Sequence, residues 1–225
     1  MDILALLRER RVLAIVRGSR AEAVLETVLT LAREGIGLIE VSLTSDGALD
    51  AIARARGELG PEAVLGAGTV LTARAAHEVR DAGADFIVTP GHSEAVGEAR
   101  NLGMPIIAGA LTPTEVIAAH AAGADAVKLF PASAVGGPAY LRALRAPFPD
   151  IPFIPVGGVD EESGRRYLAD GAVGIGVGSP LIGDAADGGD LEALRGRIRA
   201  FLRVAEESER AERAEQSEKP GEPAR

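Results

Sequence analysis

Short apolar runs alternate with amphipathic stretches along almost the whole chain, and the pattern recurs eight times. The runs are Leu13–Val16, Leu38–Val41, Val64–Gly66, Phe86–Val88, Pro105–Ala108, Ala126–Leu129, Phe153–Val156 and Gly174–Val177. They return roughly every 20–28 residues, and each has the length of a buried strand. Stretches of helical period, such as Ala21–Glu34 and Glu115–Ala122, stand between them. Capping chemistry precedes the helices at Ser19, Thr72, Thr112-Pro113 and Asp160. The pairs Gly35-Ile36, Gly83-Ala84, Gly123-Ala124 and Gly171-Ala172 stand where four helices must end, just before the next strand. A strict strand–helix alternation makes neighbouring strands parallel. Eight such units form either a closed (β/α)8 barrel or an extended doubly wound sheet, and the barrel is the expected fold. An Ala-Gly-Ala-Asp element, within Asp81–Asp85 and again at Ala122–Asp125, reads as repetition of one βα unit.

Composition fits one domain. A chain of 225 residues is ordinary for a single α/β barrel, and a hydrophobic share of 47% supplies its core. Aromatics are only 3%, so that core is aliphatic. A net charge of -9 argues against nucleic acid and anionic membrane surfaces as partners. The absence of cysteine removes disulfides, thiolate metal sites and cysteine nucleophiles together. Met1 to Arg11 is too broken by charge for a signal peptide and reads as a short amphipathic helix. No apolar run reaches membrane-spanning length, so a cytoplasmic protein is expected. The barrel is assigned to residues 1–204 and a charged tail without an apolar stripe to 205–225. The last helix can continue into that tail before Pro220 ends it, and beyond that disorder is expected.

In a parallel barrel, chemistry gathers at the C-terminal ends of the strands. The chain has only two lysines, and Lys128 lies inside the apolar run Ala126-Val127-Lys128-Leu129-Phe130. A buried ammonium is costly and tends to become a nucleophilic amine, although a strand-end lysine can also snorkel to water or pair with an acid. Glu40 stands in Leu38-Ile39-Glu40-Val41, where an acid is either used in chemistry or held in a structural ion pair. Arg17 ends the first strand, Thr69 follows Gly66-Ala67-Gly68, and Thr89-Pro90-Gly91 ends the fourth. Gly157-Gly158 and Gly178-Ser179 follow the seventh and eighth strands, where barrels often bind phosphate on backbone N–H groups. Glycines in tight βα turns are the alternative reading of those pairs.

Seven segments from Val12 to Ile182 resemble the bacterial class I aldolases that cleave 2-keto-3-deoxy-6-phosphogluconate, its galactonate epimer, or 4-hydroxy-2-oxoglutarate. They are Ala14-Ile15-Val16-Arg17-Gly18, Ile39-Glu40-Val41, Gly66-Ala67-Gly68-Thr69-Val70-Leu71, Val88-Thr89-Pro90-Gly91, Val127-Lys128-Leu129-Phe130-Pro131, Pro155-Val156-Gly157-Gly158-Val159 and Gly176-Val177-Gly178-Ser179. The resemblance implies a (β/α)8 barrel that assembles as a homotrimer, takes a phosphorylated keto acid, and needs no metal or organic cofactor. It implies that Lys128 forms a Schiff base with the C2 ketone and that Glu40 shuttles protons. It assigns the pyruvate carboxylate to Arg17 and Thr69, the walls to Phe130 and Pro90, and the phosphate to Gly157, Gly158, Gly178 and Ser179. Thr44 stands where many gluconate-type members have arginine, and Val156 where the same members often have threonine. Arg17 with Val156, and the Leu43-Thr44-Ser45 stretch, look more similar to the galactonate-type branch.

Three other classes stay open on the residues alone. A metal-dependent aldolase needs clustered ligands, but His77, His92 and His120 are far apart in sequence. A phosphosugar isomerase, epimerase or synthase, or a non-catalytic sugar-phosphate sensor, shares the phosphate glycines without needing Lys128 with Glu40. Fold alone separates none of these.

Overall fold

A computed structural model describes residues 1–218; Lys219–Arg225, the end of the expected tail, lie outside the described residues. The first half runs α1 (Ile3–Arg10), β1 (Val12–Val16), α2 (Ala21–Arg33), β2 (Leu38–Ser42), α3 (Ala48–Leu59), β3 (Leu65–Gly68), α4 (Ala73–Asp81) and β4 (Phe86–Val88). It continues with α5 (Glu94–Asn101), β5 (Ile106–Ala110), α6 (Pro113–Ala121), β6 (Ala126–Leu129), α7 (Pro138–Arg145), β7 (Phe153–Pro155) and α8 (Glu161–Ala169). The chain then forms β8 (Ile175–Val177), the short α9 (Ser179–Ile182) and the long α10 (Leu191–Glu218). All eight strands pair in parallel, in the order β7-β6-β5-β4-β3-β2-β1-β8. The two ends meet through a parallel bridge between Val156 and Gly176 and an N–H of Val173 donated to the Phe153 carbonyl at 3.0 Å. The result is a nearly closed (β/α)8 barrel in one domain.

Strand positions follow the apolar runs to within two residues, and β4 and β6 match them at both ends. The largest shifts, two residues each, fall at the ends of β3 and β5. β3 continues to Gly68, where the missing side chain leaves room for Glu40 of the neighbouring strand. Thr72, Thr112 and Asp160 cap their helices by accepting backbone N–H groups. Ser19 does not cap α2. Its backbone N–H and hydroxyl both donate to Asp187 at 2.7 Å, which leaves Arg20 as the N-cap without a side-chain bond. Gly35, Gly83, Gly123 and Gly171 all take positive φ, and each following residue donates to the carbonyl five positions back, as in Ala84 to Val79. Gly103-Met104 ends α5 in the same way, a stop hidden because methionine follows the glycine.

The core lies in two layers. Helices pack on the outside of the sheet, and a second cluster fills the inside with Leu13, Ile15, Leu38, Phe86, Val88, Ile107 and Ile154. Ile3 and Leu7 of α1 join that inner cluster and plug the lower end of the barrel. Side chains alternate along a strand, so Leu38, Glu40 and Ser42 share the inward face of β2, as Ala126 and Lys128 share that of β6. The inward face is thus apolar below and polar above.

The repeated aspartates have a common role at the lower end. Asp85 accepts the Leu65 N–H that begins β3 at 2.9 Å, and Asp125 accepts the Ile106 N–H that begins β5 at 2.7 Å. Residues 205–218, placed in the charged tail from sequence, continue α10. Ion pairs of Glu207 with Arg165 and of Glu212 with Arg11 hold this charged, stripe-free segment against the barrel. Among the described residues, no helix is long and apolar enough to cross a membrane.

Asp125→Ala strips a buried strand-starting N–H of its acceptor. It should lower unfolding stability in urea by about 1–3 kcal/mol, the cost of an unsatisfied buried group. Turnover of the folded protein should stay unchanged, since Asp125 lies at the end away from the strand C-termini.

Candidate active site

Lys128 projects into the upper barrel with its Nζ 3.8 Å from Glu40 Oε1. Both side chains are shut away from solvent, at 7% and 1% exposure respectively. Glu40 Oε2 is also buried and accepts no hydrogen bond among the described residues. Burial pushes the Glu40 carboxyl above the usual carboxylate range, while the charges of Lys128 and Arg17 act in the opposite direction. The net rise means that desolvation outweighs the attraction.

Glycine makes room for this pair. A Cβ at Gly68 would lie 1.7 Å from Glu40 Oε1, and one at Gly66 would lie 2.3 Å from the Phe86 ring. Gly66 and Gly68 therefore serve as gaps in β3 for the side chains of its neighbours. Gly109 is the register partner of Lys128 on β5, and a Cβ there would sit 2.2 Å from the Pro90 carbonyl carbon. The Pro90 main chain thus folds over β5 beside the lysine. Phe130 forms the opposite wall, its ring centroid 5.5 Å from Lys128 Nζ.

The rim collects the remaining residues. Arg17 is exposed just above β1, on a loop pinned from both sides. The Gly18 N–H donates to Ser45 Oγ at 3.3 Å, and Ser19 is held by Asp187. Thr69 has a left-handed backbone, φ 59°, a costly state for a β-branched residue. Its hydroxyl lies 3.0 Å from that of Ser42, which lies 2.9 Å from that of Thr44. Gly157 and Gly158 have φ of 96° and 70°, and Gly157 packs beneath Phe130. Gly158 and Gly178 each stand two residues beyond the bridge that joins Val156 to Gly176, so the two glycine turns lie side by side. Ser179 begins α9 and is exposed.

The ten residues singled out as catalytic or substrate-binding thus belong to one end of the barrel. Ser42 and Ser133 had not been singled out. Ser133 Oγ would lie 2.2 Å from a Cβ on Gly158, which brings a further hydroxyl to that turn. Neither had a signal in sequence: one is a small polar residue ending an apolar strand, the other begins a short 3-10 turn after β6. The histidines do not converge. His77 pairs with Glu98 at 2.8 Å on the surface, and no group of three or more His, Asp or Glu among the described residues could hold a metal ion. A lysine amine held in this way can add to a carbonyl carbon, and a carboxyl with a raised pKa beside it can deliver and take back a proton.

The family described as KDPG and KHG aldolase matches residues 3–195. The KHG/KDPG aldolase of Escherichia coli is 39% identical over 175 residues, 77% of this chain and 80% of that protein. The 2-dehydro-3-deoxy-6-phosphogalactonate aldolase of the same species is 35% identical over 198 residues, 87% of this chain and 95% of that protein. Among solved structures, the KDPG aldolase of Legionella pneumophila, with pyruvate captured as a covalent carbinolamine, superposes with a TM-score of 0.78 at 27% identity. That match covers 91% of this chain and 98% of the other.

The raised Glu40 carboxyl has a defined effect on stability. Its folded pKa exceeds its unfolded value, so its stabilising contribution is full in acid and is lost as pH rises through the raised value. Glu40→Gln removes that loss. Variant and parent should unfold alike in acid, and the variant should be the more stable at neutral pH. Urea titrations across pH measure this; a variant less stable at neutral pH would mean that attraction to Lys128 dominates instead.

Proposed function

The chain belongs to the KDPG and KHG aldolase family, and on that premise we propose that it is a class I aldolase working through a Schiff base on Lys128. Its substrate is 2-dehydro-3-deoxy-6-phosphogluconate or the galactonate epimer, split into pyruvate and glyceraldehyde 3-phosphate. Cleavage of 4-hydroxy-2-oxoglutarate to pyruvate and glyoxylate is the same reaction without the phosphate. The observation that carries the reading is the buried Lys128 amine beside the buried Glu40 carboxyl.

The amine of Lys128 adds to the C2 ketone and gives a carbinolamine. Loss of water, with Glu40 supplying the proton to the departing hydroxyl, leaves a protonated imine. The iminium draws the electrons of the C3–C4 bond as Glu40, through a water, takes the proton of the C4 hydroxyl. The aldehyde departs, and an enamine of pyruvate remains on the lysine. Protonation at C3 and hydrolysis release pyruvate and restore the amine. Burial, which raises the Glu40 pKa, makes the carboxyl hold its proton more tightly than an exposed one and so suits it to deliver as well as take the proton.

Arg17 and Thr69 hold the carboxylate of the pyruvate half, with arginine offering a planar pair of donors. Pro90 and Phe130 wall the reacting carbons. Gly157, Gly158, Gly178 and Ser179 take the phosphate, where glycine lets backbone N–H groups come close. The mechanism calls for no metal or organic cofactor. An isomerase or a sensor on this barrel would have no use for a buried amine and carboxyl side by side. The working form in this reading is a cytoplasmic homotrimer, whose contacts would cover apolar surface such as Leu71 and Ile117, now 50% and 56% exposed.

Borohydride reduction with pyruvate should attach one label, on the peptide that contains Lys128. Lys128→Arg should abolish labelling and cleavage, because a guanidinium stays protonated. A label elsewhere, or an active variant, sinks the Schiff-base assignment. Ser179→Ala tests the phosphate. It should weaken use of the phosphorylated substrates about ten- to hundredfold, the worth of a hydrogen bond to a charged group. Cleavage of 4-hydroxy-2-oxoglutarate should barely change, and equal losses would move the phosphate away from that turn.

A further inference from the structure

Three hydroxyls stand in line at the rim, and only the outermost reaches solvent freely. Thr44 is exposed, Ser42 is completely buried, and Thr69 is half-buried beyond it. Ser42 Oγ is 2.9 Å from Thr44 Oγ1 and 3.0 Å from Thr69 Oγ1. It also accepts the backbone N–H of Thr44 at 3.4 Å. The segment is anchored, since the Leu43 N–H donates to the Gly68 carbonyl at 2.8 Å and the Val70 N–H to the Val88 carbonyl at 3.3 Å. Those bonds hold the residues on either side of the line while Thr69 keeps its unfavourable left-handed backbone.

A hydroxyl has one hydrogen and two lone pairs. The Thr44 N–H occupies one lone pair of Ser42, which leaves that oxygen one further lone pair and its own hydrogen. Two polarities of the chain satisfy this count. In the first, Thr44 donates to Ser42 and Ser42 donates to Thr69, so the Thr69 hydrogen is free for the mouth. In the second, Thr69 donates to Ser42, and the mouth meets only oxygen lone pairs. An anion above Thr69 selects the first, because the second would repel it. Exposed Thr44 can exchange partners with water and lets the chain take either direction. Hydrogen bonds in such a chain also reinforce one another.

From this arrangement we propose that Ser42 is a positioning residue that sets Thr69 as a hydrogen-bond donor to the substrate carboxylate. The role rests on the aldolase reading above, in which Thr69 meets the carboxylate of the pyruvate half. Ser42 itself touches no substrate. It gives the Thr69 oxygen a hydrogen, which stops that hydroxyl from turning its own hydrogen back into the protein. A residue that merely completes the packing of β2 would affect all ketones alike. One that acts through Thr69 affects only those that carry the carboxylate.

The test compares borohydride trapping at Lys128 by limiting pyruvate with trapping by hydroxyacetone, a ketone without a carboxylate. Ser42→Ala should slow the pyruvate reaction about tenfold, the scale of one hydrogen bond to a charged group. Hydroxyacetone trapping should be unchanged, and Ser42→Ala placed on Thr69→Val should add no further loss. Equal slowing with both ketones, or full additivity with Thr69→Val, overturns the role of Ser42 alone. Unmodified protein that pyruvate fails to label at Lys128 instead overturns the aldolase reading, and this inference with it. If Ser42→Ala does not fold, Ser42→Cys carries the test, since its thiol keeps the shape but donates only weakly. It should give a smaller pyruvate-selective loss, about threefold, with hydroxyacetone trapping unchanged. No loss, or one shared by both ketones, overturns the proposal.

Discussion

Eight strands send every second side chain into one narrow interior, and the rest of the structure depends on how that space is shared. The lower interior closes on aliphatic side chains, on Phe86 and on the α1 residues Ile3 and Leu7. The upper interior must accept a glutamate and a lysine without letting water in. It does so by deleting side chains from the neighbouring strands. Gly66 yields to Phe86, Gly68 to Glu40, Gly109 to the Pro90 main chain, and Gly176 to Val156, whose Cγ2 would lie 2.5 Å from a Cβ there. Packed interiors tolerate no overlap, so each of these glycines is tied to one particular bulky neighbour.

Enclosure then determines the electrostatics. An acid and an amine 3.8 Å apart would be an ordinary ion pair in water. With both almost wholly buried, desolvation of Glu40 exceeds the attraction of Lys128 and Arg17, and its proton is held more tightly. The same walls that raise its pKa shut the pair away from solvent. A tightly held proton and exclusion of water thus share one cause, the tight fit around Glu40.

Rim loops carry the groups proposed for the charged ends of a substrate, and they are tied to one another as well as to the strands. The Arg17 loop is bonded to the loop after β2 through Ser45 and to the segment after α9 through Asp187. Because Ser179 begins α9, the Arg17 loop and the Ser179 turn are mechanically joined. Ser19 serves this connection where its sequence position suggested a helix cap.

Strand–helix alternation, the glycine stops and the lone lysine within an apolar run were all legible along the chain, because each is a local property of neighbouring residues. Backbone hydrogen bonding and side-chain period act over a few residues, so the βα units and the inward face of each strand follow from the sequence itself. The extension of β3 to Gly68 was not legible, since the reason for that glycine is Glu40 on another strand. A continuation of the last helix before Pro220 was open from the sequence, but not the ion pairs that hold residues 205–218 against the barrel, whose charges find Arg11 and Arg165 far away in sequence. The line of Thr44, Ser42 and Thr69 was hidden for the same reason, because it joins β2 to the end of β3. The sequence by itself determined the eightfold alternation and which residues carry reactive groups. Tertiary structure alone decided which of those groups are buried together, because burial and distance arise only when strands remote in the chain close on one interior.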